Sequence, residues 1–166
     1  QAELGLREPR DAGAGDRVWR YFRWLNPAHR CADPAQRDAY GLEPYVMAGD
    51  VYSQPPYAGR GGWSWYTGSA GWMHRAAIES MFGLHLGPQT LYFTPCLPAH
   101  WSRVELVLKR EGRSMRFILW RGRAAEALAA VAVPGAVLLH CGEMLAWNRL
   151  LEGACHVVPW GDTGVP

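Results

Sequence analysis

A chain of 166 residues with 49% hydrophobic and 19% charged residues has the balance of one globular domain or two small ones. Its net charge of +2 is too weak an electrostatic footprint for nucleic acid or an anionic membrane surface. No signal peptide and no long apolar run is present, and the four cysteines (Cys31, Cys96, Cys141, Cys155) form no CxxC pair. They read as reduced, buried thiols of a cytoplasmic protein. The dyads His140-Cys141 and Cys155-His156 do not make a metal site, because neighbours on a strand point to opposite faces. The chain opens on Gln1 rather than Met, and its first residues read as the middle of a longer protein.

In chain order, residues 1–15 read as a loop. Asp16 is placed to cap a helix whose apolar face is Val18, Trp19, Phe22 and Leu25, with Arg17, Arg20 and Arg23 on a solvated side. Asn26-Pro27 stops that helix, and residues 28–41 form a connection or a short helical turn. Glu43-Pro44 predicts a second short helix carrying Tyr45, Val46, Ala48 and Val51. A loop, Ser53 to Tyr57, then delivers the chain to an unusual stretch.

Residues 59–72 hold five glycines and four large aromatics, Trp63, Trp65, Tyr66 and Trp72. Glycines permit close backbone approach, and the rings offer flat faces. Thr67 sits where an N-cap belongs for a third helix running from about Ser69 to Phe82, with Gly83 as its stop. A helix start holds unpaired amides and partial positive charge, which suits an anion. The stretch therefore reads as an anion pocket beside aromatic walls, with plain core aromatics and a capping threonine as the alternative.

After Gly87-Pro88 the pattern turns to period two. Val104–Arg110 and Ser114–Trp120 predict paired strands joined by a turn at Glu111-Gly112-Arg113. Ala124–Ala132 fits helix or strand. Val137–His140 and His156–Trp160 predict further strands, with a turn at Cys141-Gly142-Glu143. The fold class is α+β, helices first and antiparallel strands second.

The run Leu25-Asn26-Pro27, Glu43-Pro44-Tyr45-Val46, Asp50-Val51-Tyr52-Ser53 and the block Gly59–Met73 resemble the C-terminal part of the inverting glycoside phosphorylases. These include cellobiose and chitobiose phosphorylases, and the likeness is strongest to cyclic β-1,2-glucan synthases and β-1,2-oligoglucan phosphorylases. Thr94-Pro95-Cys96-Leu97-Pro98, with Trp101, resembles that family's entry into its C-terminal β-domain. The resemblance covers about residues 15–120 and fades beyond Trp120.

It implies that residues 1–86 are the last helices of an (α/α)6 barrel and residues 87–166 a small antiparallel β-sandwich-like domain. The reaction implied is phosphorolysis or transfer of β-linked glucosyl units, with inorganic phosphate as co-substrate and no other cofactor. A carboxylic acid protonates the leaving oxygen while phosphate attacks the opposite face of the sugar. The family's phosphate contacts fall on Thr67 and Gly68. Asp50, Arg60, Trp63 and Trp65 become candidate sugar or phosphate contacts; a solvated arginine and core tryptophans are the alternatives. The catalytic acid has no counterpart here and is expected upstream, so the isolated chain is expected to be inactive. The implied partners are a β-linked glucan or oligosaccharide, phosphate and the N-terminal part of the same enzyme. The location is cytoplasmic, at the inner membrane if the whole protein is a glucan synthase. The rival class is a non-catalytic carbohydrate-binding or assembly module.

Overall fold

The computed structural model describes residues 13–161, so the predicted N-terminal loop lies mostly outside the described residues. The chain divides into two compact units between Met81 and Phe82.

The first unit begins with α1 (Ala14–Leu25), α2 (Pro27–Arg30) and α3 (Pro34–Tyr40). Asp16 does not cap α1. Gly13 takes the N-cap position at φ 100° with no side-chain cap, and Asp16 lies inside the first turn, where a carboxylate favours the positive helix end. Asn26 ends α1 as expected and also caps α2, its Oδ1 accepting from the Ala28 amide at 3.1 Å. Asp33 caps α3 in the same manner through the Gln36 amide at 3.0 Å. The apolar stripe of α1 is only partly covered: none of its residues is buried, and Tyr21, Trp24 and Leu25 are more than half exposed.

The predicted helix after Glu43-Pro44 does not form. Tyr40 explains why. Its buried hydroxyl donates to the Val46 carbonyl at 2.9 Å and accepts from the Ala48 amide at 3.2 Å. Residues 42–48 thus wrap as turns around one phenol, and burial pushes the Tyr40 pKa up. The chain then enters a small hairpin of β1 (Asp50–Val51) and β2 (Gly61–Gly62), in register Asp50 to Gly62 and Val51 to Gly61. Helix α4 (Thr67–Arg75) follows and continues as a π-helical segment, Ala76–Met81.

In the second unit, β3 (Leu84–Leu86) and β4 (Thr90–Phe93) pair antiparallel, and β5 (Arg103–Arg110) pairs with β6 (Arg113–Arg121) through all eight β5 residues. The β5–β6 turn is as predicted, with Glu111 at φ 52° and Gly112 at φ 75°, the left-handed pair of a tight hairpin. The alanine-rich stretch resolves as α5 (Ala124–Val131), followed by β7 (Val137–Leu138), β8 (Leu145–Ala146) and β9 (Cys155–Trp160). Two sheets result, β3-β4-β8 and β5-β6-β9-β7.

The expectation of antiparallel strands throughout needs one correction. β9 lies parallel to both β6 and β7, because α5 carries the chain across and leaves a gap that β9 later fills. Phe93 and Phe117 meet at 5.0 Å between the two sheets. On the other face of the larger sheet, Ile118, Cys155 and Val157 pack against Ala127 and Val131 of α5. Period-two alternation on β6 and β9 feeds these two cores at once. Of the four cysteines only Cys155 is buried, the others being half-buried; the Cys31 and Cys141 thiols donate to carbonyls, of Leu42 and Pro159 respectively. No helix among the described residues is long and apolar enough to cross a membrane.

Candidate functional site

The glycine-rich stretch is built on the β1–β2 hairpin. The Gly49 amide donates to both the Gly62 and Trp63 carbonyls, at 2.9 and 3.2 Å, and the Tyr52 amide donates to the Arg60 carbonyl at 2.9 Å. Gly61 has to be glycine: a Cβ there would come within 2.6 Å of Leu42 and 2.9 Å of the Tyr40 ring. Gly62 is equally confined, with Asp50 Oδ1 and the Tyr52 hydroxyl lying against its Cα. Two glycines thus let Asp50 and Tyr52 close over the strand, and Asp50 is held at an exposed edge of the hairpin.

Past β2 the backbone takes two left-handed steps at residues that are not glycine, Trp63 at φ 54° and Trp65 at φ 66°. Each costs about 1–2 kcal/mol for an L-residue. The usual compensation would be a buried indole, yet Trp63 and Trp65 are 66% and 69% exposed. Neither ring is packed into a core among the described residues. Tyr45 meets Trp65 edge-to-face at 6.4 Å, and Tyr66 meets Trp63 at 6.0 Å. Tyr52 and Tyr57 form a further exposed pair, and the Arg60 guanidinium lies over Tyr57 at 5.8 Å. Between them opens a cleft of about 480 Å³ lined by Leu42, Tyr52, Tyr57, Arg60, Trp63 and Ser64 around the two glycines. Flat faces beside a polar rim are how a protein wall meets a pyranose ring.

Thr67 is not the N-cap of α4. Tyr66 occupies that position at φ −84°, ψ 119°, and Thr67 is the first helical residue. No side chain caps the helix; Ser69 Oγ instead donates to the Tyr66 carbonyl at 3.3 Å. Its first turn carries no acidic residue, so the positive helix end is not offset there. Thr67 and Gly68 are exposed, and a Cβ added at Gly68 or Gly71 would meet nothing within 4 Å. The first turn of α4 is thus exposed and uncapped, and a helix start of that kind is suited to an oxyanion.

Sequence reasoning had named Asp50, Arg60, Trp63, Trp65, Thr67 and Gly68. The structure brings Arg60 and Trp63 to one cleft, sets Asp50 against its Gly62 wall, and places Thr67 and Gly68 at the helix start that follows. The tyrosines at 45, 52 and 57 went unremarked as site residues. Their signal lay in the same excess of aromatics around the glycines.

The aromatic, glycine-walled cleft and the uncapped helix that follows it set flat apolar faces and a positive helix end in one segment. Comparison with known proteins gives the likeness: residues 9–83 match the glycosyl hydrolase 94 superfamily, catalytic domain. Over 106 residues (64% of the chain) it is 39% identical to the cyclic beta-(1,2)-glucan synthase NdvB of Rhizobium meliloti (strain 1021), covering 4% of that protein. Solabiose phosphorylase of Paenibacillus borealis is 34% identical over 65% of the chain, and N,N'-diacetylchitobiose phosphorylase of Vibrio furnissii 27% identical over 71%. The chain spans only 14% and 16% of those two relatives.

Proposed function

We propose that this chain supplies part of the donor and phosphate site of an enzyme that phosphorolyses or transfers β-linked glucosyl units. In this reading Thr67 and Gly68, with the α4 amides, hold inorganic phosphate, while Trp63, Trp65, Arg60 and Asp50 face the sugar. The helices of the first unit would complete an (α/α)6 barrel with residues supplied from elsewhere in the whole protein, which would also supply the general acid. Phosphate, already an anion, needs placement and charge stabilisation rather than deprotonation, and a helix start provides both. The names of the relatives, two phosphorylases and a glucan synthase, support the substrate class. A cytoplasmic location follows from the same reading.

The observation that carries the proposal is the α4 start: no acidic or capping side chain in its first turn, and open space at Gly68. Thr67→Val in the whole enzyme tests it. The expected result is a phosphate KM raised about tenfold with the fold intact, the loss of one hydrogen bond to a charged ligand. An unchanged phosphate KM would overturn the assignment. The 166-residue chain alone is expected to release no glucose 1-phosphate from β-linked gluco-oligosaccharides.

A further inference from the structure

We propose that the cleft formed by α1, α2 and α3 is a second oxyanion site, built for a small phosphorylated sugar and independent of the α4 start. The cleft measures about 430 Å³, within the roughly 300–1,000 Å³ of small-molecule sites. It shares no lining residue with the aromatic cleft described above. Arg20 and Arg23 line it one helical turn apart on α1, and Arg30 lines it from the end of α2. Against these three guanidiniums the described lining residues set one carboxylate, Asp16.

Neither Arg20 nor Arg23 has an ion-pair partner among the described residues. Arg30 donates through Nε to the Trp24 carbonyl, which fixes the guanidinium plane and leaves its terminal nitrogens without a partner there. Like charges gathered in one concavity repel, and an anion relieves that repulsion.

The independent sign of a ligand is His29. It lines the same cleft, and its Nδ1 is buried with no hydrogen-bond partner. Buried polar atoms are normally paired, so an orphan in a polar cleft marks a missing partner. The Trp19 ring stands edge-on to the imidazole at 5.2 Å and 85°, holding its orientation. Burial first and Arg23 second hold the His29 pKa down, which keeps the ring neutral at pH 7. A neutral imidazole can still donate one N–H to an oxyanion.

Charge and shape choose phosphate over carboxylate. Among the described lining residues, three cations against one carboxylate leave a surplus of two, which matches a phosphate monoester dianion, and guanidinium forks match its tetrahedral oxygens. Trp24, half exposed and also lining the cleft, offers an apolar face for the attached ring.

The test is an NMR titration of the 166-residue chain with glucose 6-phosphate, inorganic phosphate and glucose, following the His29 imidazole, the Trp19 indole N–H and the Thr67 and Gly68 amides together. The His29 and Trp19 signals should move saturably with glucose 6-phosphate, at least several-fold more weakly with inorganic phosphate, and not with glucose. Arg20→Gln with Arg23→Gln should weaken this response about tenfold or more, the loss of two charge-assisted contacts, without altering the Thr67 and Gly68 response. Arg20→Lys with Arg23→Lys keeps the charge and should give an intermediate affinity. Unmoved His29 and Trp19 signals in the unsubstituted chain would overturn the proposal, whatever the fate of the variants. Equal binding of inorganic phosphate and glucose 6-phosphate would overturn its sugar half. Because the two sets of signals are read in one titration, failure here is distinct from failure at α4.

Discussion

Replacing Trp65 with glycine separates the two roles a tryptophan can have. The ring is 69% exposed, so about a third of its surface is covered. On a side chain burying roughly 200 Å² when fully enclosed, that is ~60 Å², or about 1.5 kcal/mol of apolar burial. Its edge-to-face contact with Tyr45 at 6.4 Å adds no more than about 1 kcal/mol. Against these losses, glycine accepts φ 66° freely and relieves about 1–2 kcal/mol of left-handed strain. The net loss of folding free energy should therefore be no more than about 1.5 kcal/mol, where a core Trp→Ala change costs about 3–5 kcal/mol. Urea unfolding of the unsubstituted and Trp65→Gly chains gives the first number. Titration with a β-linked gluco-oligosaccharide, followed through tryptophan fluorescence, gives the second, and binding should fall about tenfold or more. A stability loss above about 3 kcal/mol, or undiminished sugar binding, would refute the reasoning.

Two further outcomes follow from buried polar atoms. Tyr40→Phe removes the hydroxyl that serves the Val46 carbonyl and the Ala48 amide, and should destabilise the first unit by about 1–3 kcal/mol in urea unfolding. His156, 6% exposed and stacked on Phe117 at 5.4 Å, has neither ring nitrogen paired, and burial holds its pKa down despite the opposing Glu143 charge. Because the unfolded chain binds this proton first, stability should be full above about pH 6.5 and fall as the pH drops from there toward the lower folded-state pKa. His29 acts with the same sign. Thermal unfolding across this range should show the slope in the unsubstituted chain and a shallower one in His156→Leu.

How much of this could be read beforehand depended on how local the cause was. The β5–β6 hairpin was legible because its period-two pattern and Glu111-Gly112 turn both act within a few residues. Helix α1 was legible for the same reason, apart from its cap. The stretch after Glu43 was not, because a single hydroxyl from Tyr40 outweighed a proline-led helix signal, and periodicity carries no trace of such a bond. Ala124–Val131 became helix because Ala127 and Val131, four apart, cover the sheet face at Ile118 and Val157. The parallel placement of β9 depends on which gap the crossover leaves, a matter of topology that strand composition does not encode. At the start of α4, spacing misassigned the cap by one residue. The arginines of α1 read as a solvated face because the cleft they line is completed by α2 and α3.

The central claim is that the start of α4 receives an oxyanion. Amide chemical shifts of Thr67, Gly68 and Ser69, followed as inorganic phosphate is added at constant ionic strength, test it most directly. The account predicts saturable shifts in these amides, weakened by Thr67→Val. Amides that stay unmoved, or that move equally with chloride, would contradict it.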